Sequence, residues 1–115
     1  MSESLLETLT RICGHLGLPV SVGNHAGTPA PDTYVVLVPL AETFEVFADE
    51  LPGAELIEVR ASLFTKAHYQ HVAQALTREL LAEGVTITGR RYVGYEDDTK
   101  YHHWAVDAAI PQSLF

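Results

Sequence analysis

The residues with the most chemical capacity gather near the end of the chain, where Glu96, Asp97 and Asp98 precede His102, His103 and Asp107. Carboxylate oxygens and imidazole nitrogens close in sequence are the donor set of a divalent-ion site. Strand geometry argues against one here. Neighbours on a strand point to opposite faces, so His102 and His103 do not reach one ion together, and His103 and Asp107 stand roughly 13 Å apart on a shared face at ~3.3 Å per residue. The three acids read as a solvated turn, a setting that favours Asp and Glu for conformational reasons. His68 and His71 fall three apart on a helical stretch and share a face, but zinc needs further ligands and no His-Glu-x-x-His arrangement is present. No metal and no cofactor is expected.

Nucleophiles are as sparse. The chain has no Gly-x-Ser-x-Gly, and Ser62 sits in a strand pattern with no histidine nearby in sequence. Cys13 has His15 two positions on, a spacing that does not bring side chains together on a helix. Gly14 and Gly17 end a helix and do not open one, so they form no phosphate loop. Arg90-Arg91, the basic pair, alternates across a strand and suits cross-strand or intersubunit ion pairs better than phosphate. No catalytic residue is expected.

The elements that would position these groups follow from periodicity. Leu5, Leu6, Leu9, Ile12, Cys13 and Leu16 recur at spacings of three and four, predicting a helix over 3–16 with Ser2 or Ser4 as cap. A short extended piece is expected at 18–22, then a loop of turn formers over 23–32. Residues 33–40 read as a strand, with Pro39 marking an edge or a bulge. Residues 41–53 read as an extended arm. Alternation over 54–64 predicts a half-buried strand. Tyr69, Val72, Ala73, Leu76 and Leu80 give a second helix over 65–83, with Thr65 as its cap. Strands at 85–95 and 100–110 form a hairpin around the acidic turn. His102, Trp104, Val106, Ala108 and Ile110 lie on one face of the last strand, and Tyr101, His103, Ala105 and Asp107 on the other. The expected fold class is α+β, two helices packed on one side of a mainly antiparallel sheet.

A length of 115 residues suits one domain with one core, and 47% hydrophobic against 19% charged residues is globular composition. The lone Cys13 excludes an internal disulfide and suits a reducing compartment; it reads as inert core. The first residues are acidic where a signal peptide would be basic, and no apolar run approaches the roughly 20 residues of a membrane span. A net charge of −8 works against gripping phosphates, so specific nucleic-acid binding is not expected.

Two passages carry a resemblance: Glu58-Val59-Arg60-Ala61-Ser62-Leu63-Phe64-Thr65-Lys66, leading into a helix, and the string from Gly84 to Asp107, whose specific part is Arg90-Arg91-Tyr92-x-Gly94-x-Glu96-x-Asp98-Thr99-x-x-His102-His103. Together they resemble the small tail-component proteins of siphophages and prophages of Gram-positive hosts, which are tail-completion or tail-terminator-like. The resemblance covers about residues 33–110; the first helix matches in type and placement only. It implies a tail-terminator-like fold and a virion role without enzymatic activity. Copies would form a ring, typically of six, at the head-proximal end of the tail, contacting tail-tube and neck or connector proteins while DNA passes through. The chain would reside in the bacterial host cytoplasm during assembly and in the virion afterwards. Related families of the neck share the same outline, so the implied role is head–tail joining and not one particular ring.

Physics adds expectations about such a ring. An acidic inner wall repels passing phosphates, which makes Glu42, Glu45, Asp49, Glu50 and Glu55, or the turn Glu96, Asp97 and Asp98, candidates to face the channel. Phe44, Val46 and Phe47 would gain from burial against a neighbouring subunit. Two other classes stand beside this reading. A small acidic interaction or regulatory protein of phage origin would gather its carboxylates on one convex face. A metal-dependent enzyme would use the His and Asp residues of the last hairpin.

Overall fold

The computed structural model describes residues 4–23, 30–44 and 54–113. The first helix, α1 (Leu5–His15), begins at a capping box: Ser4 Oγ accepts from the Glu7 amide and Glu7 Oε1 accepts from the Ser4 amide, both at 3.1 Å. Its apolar stripe buries Leu5, Leu9, Ile12 and Cys13. At the far end Gly17 takes a φ of 72°, so that Leu18 N–H reaches Cys13 O at 2.8 Å and Gly17 N–H reaches Gly14 O at 3.1 Å. Glycine adopts that left-handed conformation without the Cβ clash. The second helix, α2 (Tyr69–Ala82), ends the same way at Gly84, with Val85 N–H on Leu80 O at 3.0 Å.

Five strands follow and interleave: β1 (Val20–Val22), β2 (Thr33–Phe44), β3 (Ala54–Thr65), β4 (Thr86–Tyr95) and β5 (His102–Ser113). They form one sheet in the order β1-β2-β3-β5-β4. All neighbours are antiparallel except β1 and β2, which pair in parallel from Val20↔Val35 to Val22↔Leu37. The fold is therefore α+β with a mostly antiparallel sheet. Both helices join one core, in which Leu5, Leu9 and Ile12 of α1 and Leu76 and Leu80 of α2 meet Val35, Leu37, Val59, Leu63, Trp104 and Val106. Trp104, Val106 and Ala108 belong to that core and Ile110 packs against it, as the alternation along the last strand predicts.

Three boundaries differ from the sequence expectation by more than two residues. Thr65 does not cap α2. It is the buried last residue of β3, its hydroxyl lies 2.8 Å from that of Thr33 and it accepts the Ala67 amide at 3.1 Å. The helix starts four residues later, at Tyr69, behind His68, which makes no side-chain cap. Second, β2 continues through Phe44 by pairing Ala41, Glu42, Thr43 and Phe44 with Glu58, Ile57, Leu56 and Glu55, so the first four residues of the expected arm are strand. Residues 45–53, the rest of that arm, lie outside the described residues. Third, β5 runs on to Ser113, opposite Ala54. The expected irregularity at Pro39 is present as a shift of register between Pro39 and Ala41.

The sheet is longer in its middle than at its sides. β1 reaches only Leu37 on β2, and β4 reaches only Ala109 on β5. Beyond them β2, β3 and β5 continue alone as a three-stranded tongue.

Cys13 is fully buried, and burial pushes its thiol up to about 11. A neutral buried thiol is a poor nucleophile. A disulfide-exchange reagent at pH 8 should leave the folded protein unlabelled and titrate one thiol per chain once it is unfolded, followed by absorbance.

Candidate functional site

The helices cover one face of the sheet, among the described residues nothing covers the other, and the strand register arranges that bare face in rows. Ser21, Val36, Ser62, Ala105 and Arg91 stand side by side across all five strands. On one side of this row lie Tyr34, Phe64, His103 and Gly94; on the other lie Val38, Arg60, Asp107 and Gly89. The middle row is small and sits low between larger neighbours. Val36, Ser62 and Ala105 are accordingly buried although no helix covers them, Ala105 to 3% exposure.

The first flank is aromatic. Tyr34 stacks on Phe64 at 5.0 Å between ring centres, Phe64 stacks on His103 at 4.3 Å, and Tyr101 meets Tyr34 edge-on at 5.4 Å. Tyr101 is anchored by its hydroxyl, which donates to Pro31 O. His103 Nε2 is buried without a hydrogen-bond partner. Burial, opposed in part by Glu96, holds the His103 pKa below its ordinary value of 6.5.

The second flank is an ion pair. Arg60 donates from Nε to Asp107 Oδ1 at 2.8 Å and from Nη2 to Oδ2 at 3.1 Å, the two-pronged geometry that makes arginine–carboxylate pairs specific. The bond to Asp107 raises the Arg60 pKa above its usual value. Next to this pair, Gly89, Arg90, Arg91, Ala105 and Asp107 line a pocket of about 230 Å³. A Cβ on Gly89 would meet no atom within 4 Å, so the residue adds open space to the pocket mouth.

The predicted chemical groups disperse. His102 faces the helices, 2.9 Å from the Tyr92 hydroxyl through Nδ1 and close to the rings of Tyr69 and Tyr95, while His103 lies on the opposite face. Asp107 is committed to Arg60. Glu96, Asp97 and Asp98 form an exposed turn, closed by Lys100 N–H on Glu96 O at 2.7 Å and braced by Thr99 on the Glu96 and Asp98 carboxylates. His68 and His71 are exposed at the start of α2. His15 points across to Glu79 at 3.3 Å and away from Cys13 chemistry. Among the described residues no group of three or more His, Cys, Asp or Glu side chains lies together to hold a metal. The single thiol, Cys13, is buried and protonated.

The assembly candidates are placed by backbone alone where they are described. Phe44 and Glu55 face each other at the end of the β2–β3 ladder, and Glu42 pairs with Ile57; Glu45, Val46, Phe47, Asp49 and Glu50 lie outside the described residues. The tongue and the acidic turn are at opposite ends of β5, roughly 30 Å apart for the ten residues between His102 and Gln112. The sequence reading missed the Arg60–Asp107 pair and the small-residue row, because neither is visible until β3 and β5 are known to be neighbours. Among the described residues no helix is long and apolar enough to cross a membrane. No protein-family model matches the chain, and no curated protein matches it.

Two expectations follow. Asp107→Ala, which leaves a half-buried guanidinium unpaired, should lower stability by ~1–3 kcal/mol in urea denaturation, and Arg60→Met in the same chain should recover part of the loss. The His103 imidazole should titrate below 6.5 by NMR. The folded state prefers the neutral ring, so its contribution to stability is complete above 6.5 and is lost as pH falls through the lowered value; His103→Phe should remove that part of the acid destabilisation.

Proposed function

We propose that the chain is a structural protein of the head–tail joining region of a tailed bacteriophage or prophage, where copies assemble into a ring that completes or terminates the tail. The observation that supports this reading is that, among the described residues, one face of the sheet carries no helix and β2, β3 and β5 extend at one end beyond β1 and β4, so one small subunit has two unlike regions. A ring of identical subunits needs two different complementary surfaces on each copy, because every contact is head to tail. The resemblance of the Arg90–His103 string to phage tail components fits with this, since that string forms β4, the acidic turn and the start of β5.

In this reading the subunit needs no cofactor and catalyses nothing. Its partners are other copies, the tail tube and the neck or connector proteins, and DNA passes without specific contacts. The exposed turn Glu96, Asp97 and Asp98 is the described acidic group best suited to a channel wall, since like charge keeps a phosphate backbone from adhering. Glu42, Glu45, Asp49, Glu50 and Glu55 are the alternative candidates for that wall. A subunit of this kind would be made in the host cytoplasm and end in the virion.

An acidic protein that mimics nucleic acid is the second reading. The described carboxylates favour it less. Glu79 and Glu83 are paired with His15 and Arg11 between the helices, Asp107 is on the bare face, and Glu96, Asp97 and Asp98 are at the turn, so they are spread over several surfaces.

Sedimentation equilibrium over a wide concentration range tests the ring. The expected result is a hexamer, or a monomer that associates toward a species larger than a dimer, with annular particles in negative-stain electron microscopy. A dimer of fixed mass at every concentration would overturn the reading in favour of the interaction protein.

A further inference from the structure

On its β4 side the bare face holds more positive charge than its described carboxylates neutralise. Arg60 and Asp107 bond to each other at 2.8 and 3.1 Å, so both Asp107 oxygens are engaged and the pair sums to zero. Arg91 stands in the middle row, opposite Ala105, and is exposed. The ion pairs among the described residues are Arg11 with Glu83, His15 with Glu79, Arg60 with Asp107 and Lys66 with Asp32. Among those residues Arg91 has no carboxylate partner. Arg90, opposite Val106, is engaged elsewhere: its Nη1 donates to Thr77 Oγ1 of α2 at 3.3 Å.

The residues around Arg91 leave space beside it. Gly89, two positions back on β4, has no side chain, and a Cβ there would meet nothing within 4 Å. Across the ladder Ala105 is small, and Ser62 beyond it is buried. The space is the pocket of about 230 Å³, with Gly89 and Ala105 as its apolar lining, Asp107 in its wall and both arginines at its border. It is far larger than a single water needs. Glu58, two positions from Arg60 on β3, stands opposite Ala109 and is not part of the described lining. The charges of Arg60 and Arg91 both act to lower the His103 pKa, so this side of the face is positive in a chain whose net charge is −8.

A guanidinium beside a half-apolar pocket selects among anions. Its planar fork matches a carboxylate through two parallel N–H···O bonds. A phosphate dianion fits less well, because it would gain one unpaired guanidinium while its second charge met the Asp107 carboxylate. Gly89 and Ala105 suit the carbon chain of an organic acid, which gains from leaving water.

We propose that the Gly89 pocket is a carboxylate-binding site, in which Arg91 grips the carboxylate and Gly89 and Ala105 border the carbon that carries it. The neutral Arg60–Asp107 pair is the fixed wall behind it. A protein side chain and a small organic acid offer the site the same group. The proposal goes beyond the assembly reading and does not depend on it.

Titration of the isotope-labelled chain, followed by NMR at fixed ionic strength, tests the site. The probes are N-acetylglutamate N-methylamide for a protein side chain, propionate and benzoate for free acids, and inorganic phosphate for comparison. The carboxylates should give saturable shifts of the Gly89, Arg91 and Ala105 amide signals. Arg91→Gln should weaken binding at least ~10-fold, the scale of a hydrogen bond to a charged group. Gly89→Leu, which fills the pocket without changing charge, should act in the same direction, and Arg78→Gln, an exposed arginine of α2 outside the lining, should leave binding unchanged. Circular dichroism melts check that each variant is folded, and Arg91→Gln, at an exposed position, decides the matter if Gly89→Leu is not. Tighter binding of the blocked glutamate would support the pocket with a protein side chain as its ligand; tighter binding of propionate or benzoate would support it with a free acid. No saturable shift, phosphate binding as tight as the carboxylates, or an equal loss in Arg78→Gln would overturn the site. None of these results bears on the oligomeric mass that tests the ring.

Discussion

β3 is hydrogen-bonded along its whole length on both sides, to β2 from Thr65 to Glu55 and to β5 from Thr65 to Ala54. Every other feature is placed relative to that strand. Its neighbours bring the core residues Val35 and Leu37, and Trp104 and Val106, alongside Leu63 and Ala61, and the helices then have one continuous apolar surface to cover. The pairing also joins distant parts of the chain, since β5 reaches β3 only after α2 and β4 have been made. Contacts of that span are entropically costly to form and are compensated by the core they enclose. Two helices suffice for one face of five strands; the opposite face is left to stabilise itself.

It does so with local devices. The ion pair of Arg60 and Asp107 bridges β3 to β5, and the ring stack of Tyr34, Phe64 and His103 runs from β2 through β3 to β5. Each crosses the same central pairing, and together they border the low row of Val36, Ser62 and Ala105. Larger side chains in that row would lift the face into solvent and separate the two flanks. The bare face is thus a shallow trough with an aromatic wall and a charged wall, and at its β4 end it opens into the pocket beside Gly89. This couples the interior of the sheet to its free edge: Arg91 lies in the same row as Ala105 and Ser62, and Gly89 in the same row as Arg60 and Asp107.

Much of this was legible in the sequence, and the parts that were not have a common cause. Helix stripes and strand alternation record which side chains are buried, so α1, α2, β3 and the core face of β5 could be read from Leu9, Leu76, Leu63 or Val106 alone. Gly17 and Gly84 announced the helix ends because their backbone conformation is costly for any other residue. Residues 41–44 read as an arm because they carry no clear alternation: they are held by ladder hydrogen bonds at the end of a tongue, past Ile57 and Ile110, the last described residues packed on the core. Threonine serves both at a helix cap and at a strand end, and for Thr65 only the cross-strand partner Thr33 decides between them. Arg60 and Asp107 stand 47 positions apart, with nothing local to connect them. Arg90 and Arg91 are visible in the sequence as a basic pair, but what faces them depends on strand order, which no periodicity encodes.

Net charge bears on how such subunits meet. At −8 per chain two copies repel at distances within the screening length, about 8 Å at physiological salt, and most relative orientations stay unfavourable on approach. Arg78, Arg90 and Arg91, which have no carboxylate partner among the described residues, offset this repulsion locally at β4 and α2. Strand-to-strand addition, the usual undirected way for open sheets to associate, is discouraged along β4 by its two register shifts. A net charge of −8 makes close approach of two copies, or of a copy and a phosphate backbone, electrostatically unfavourable wherever no positive group is presented.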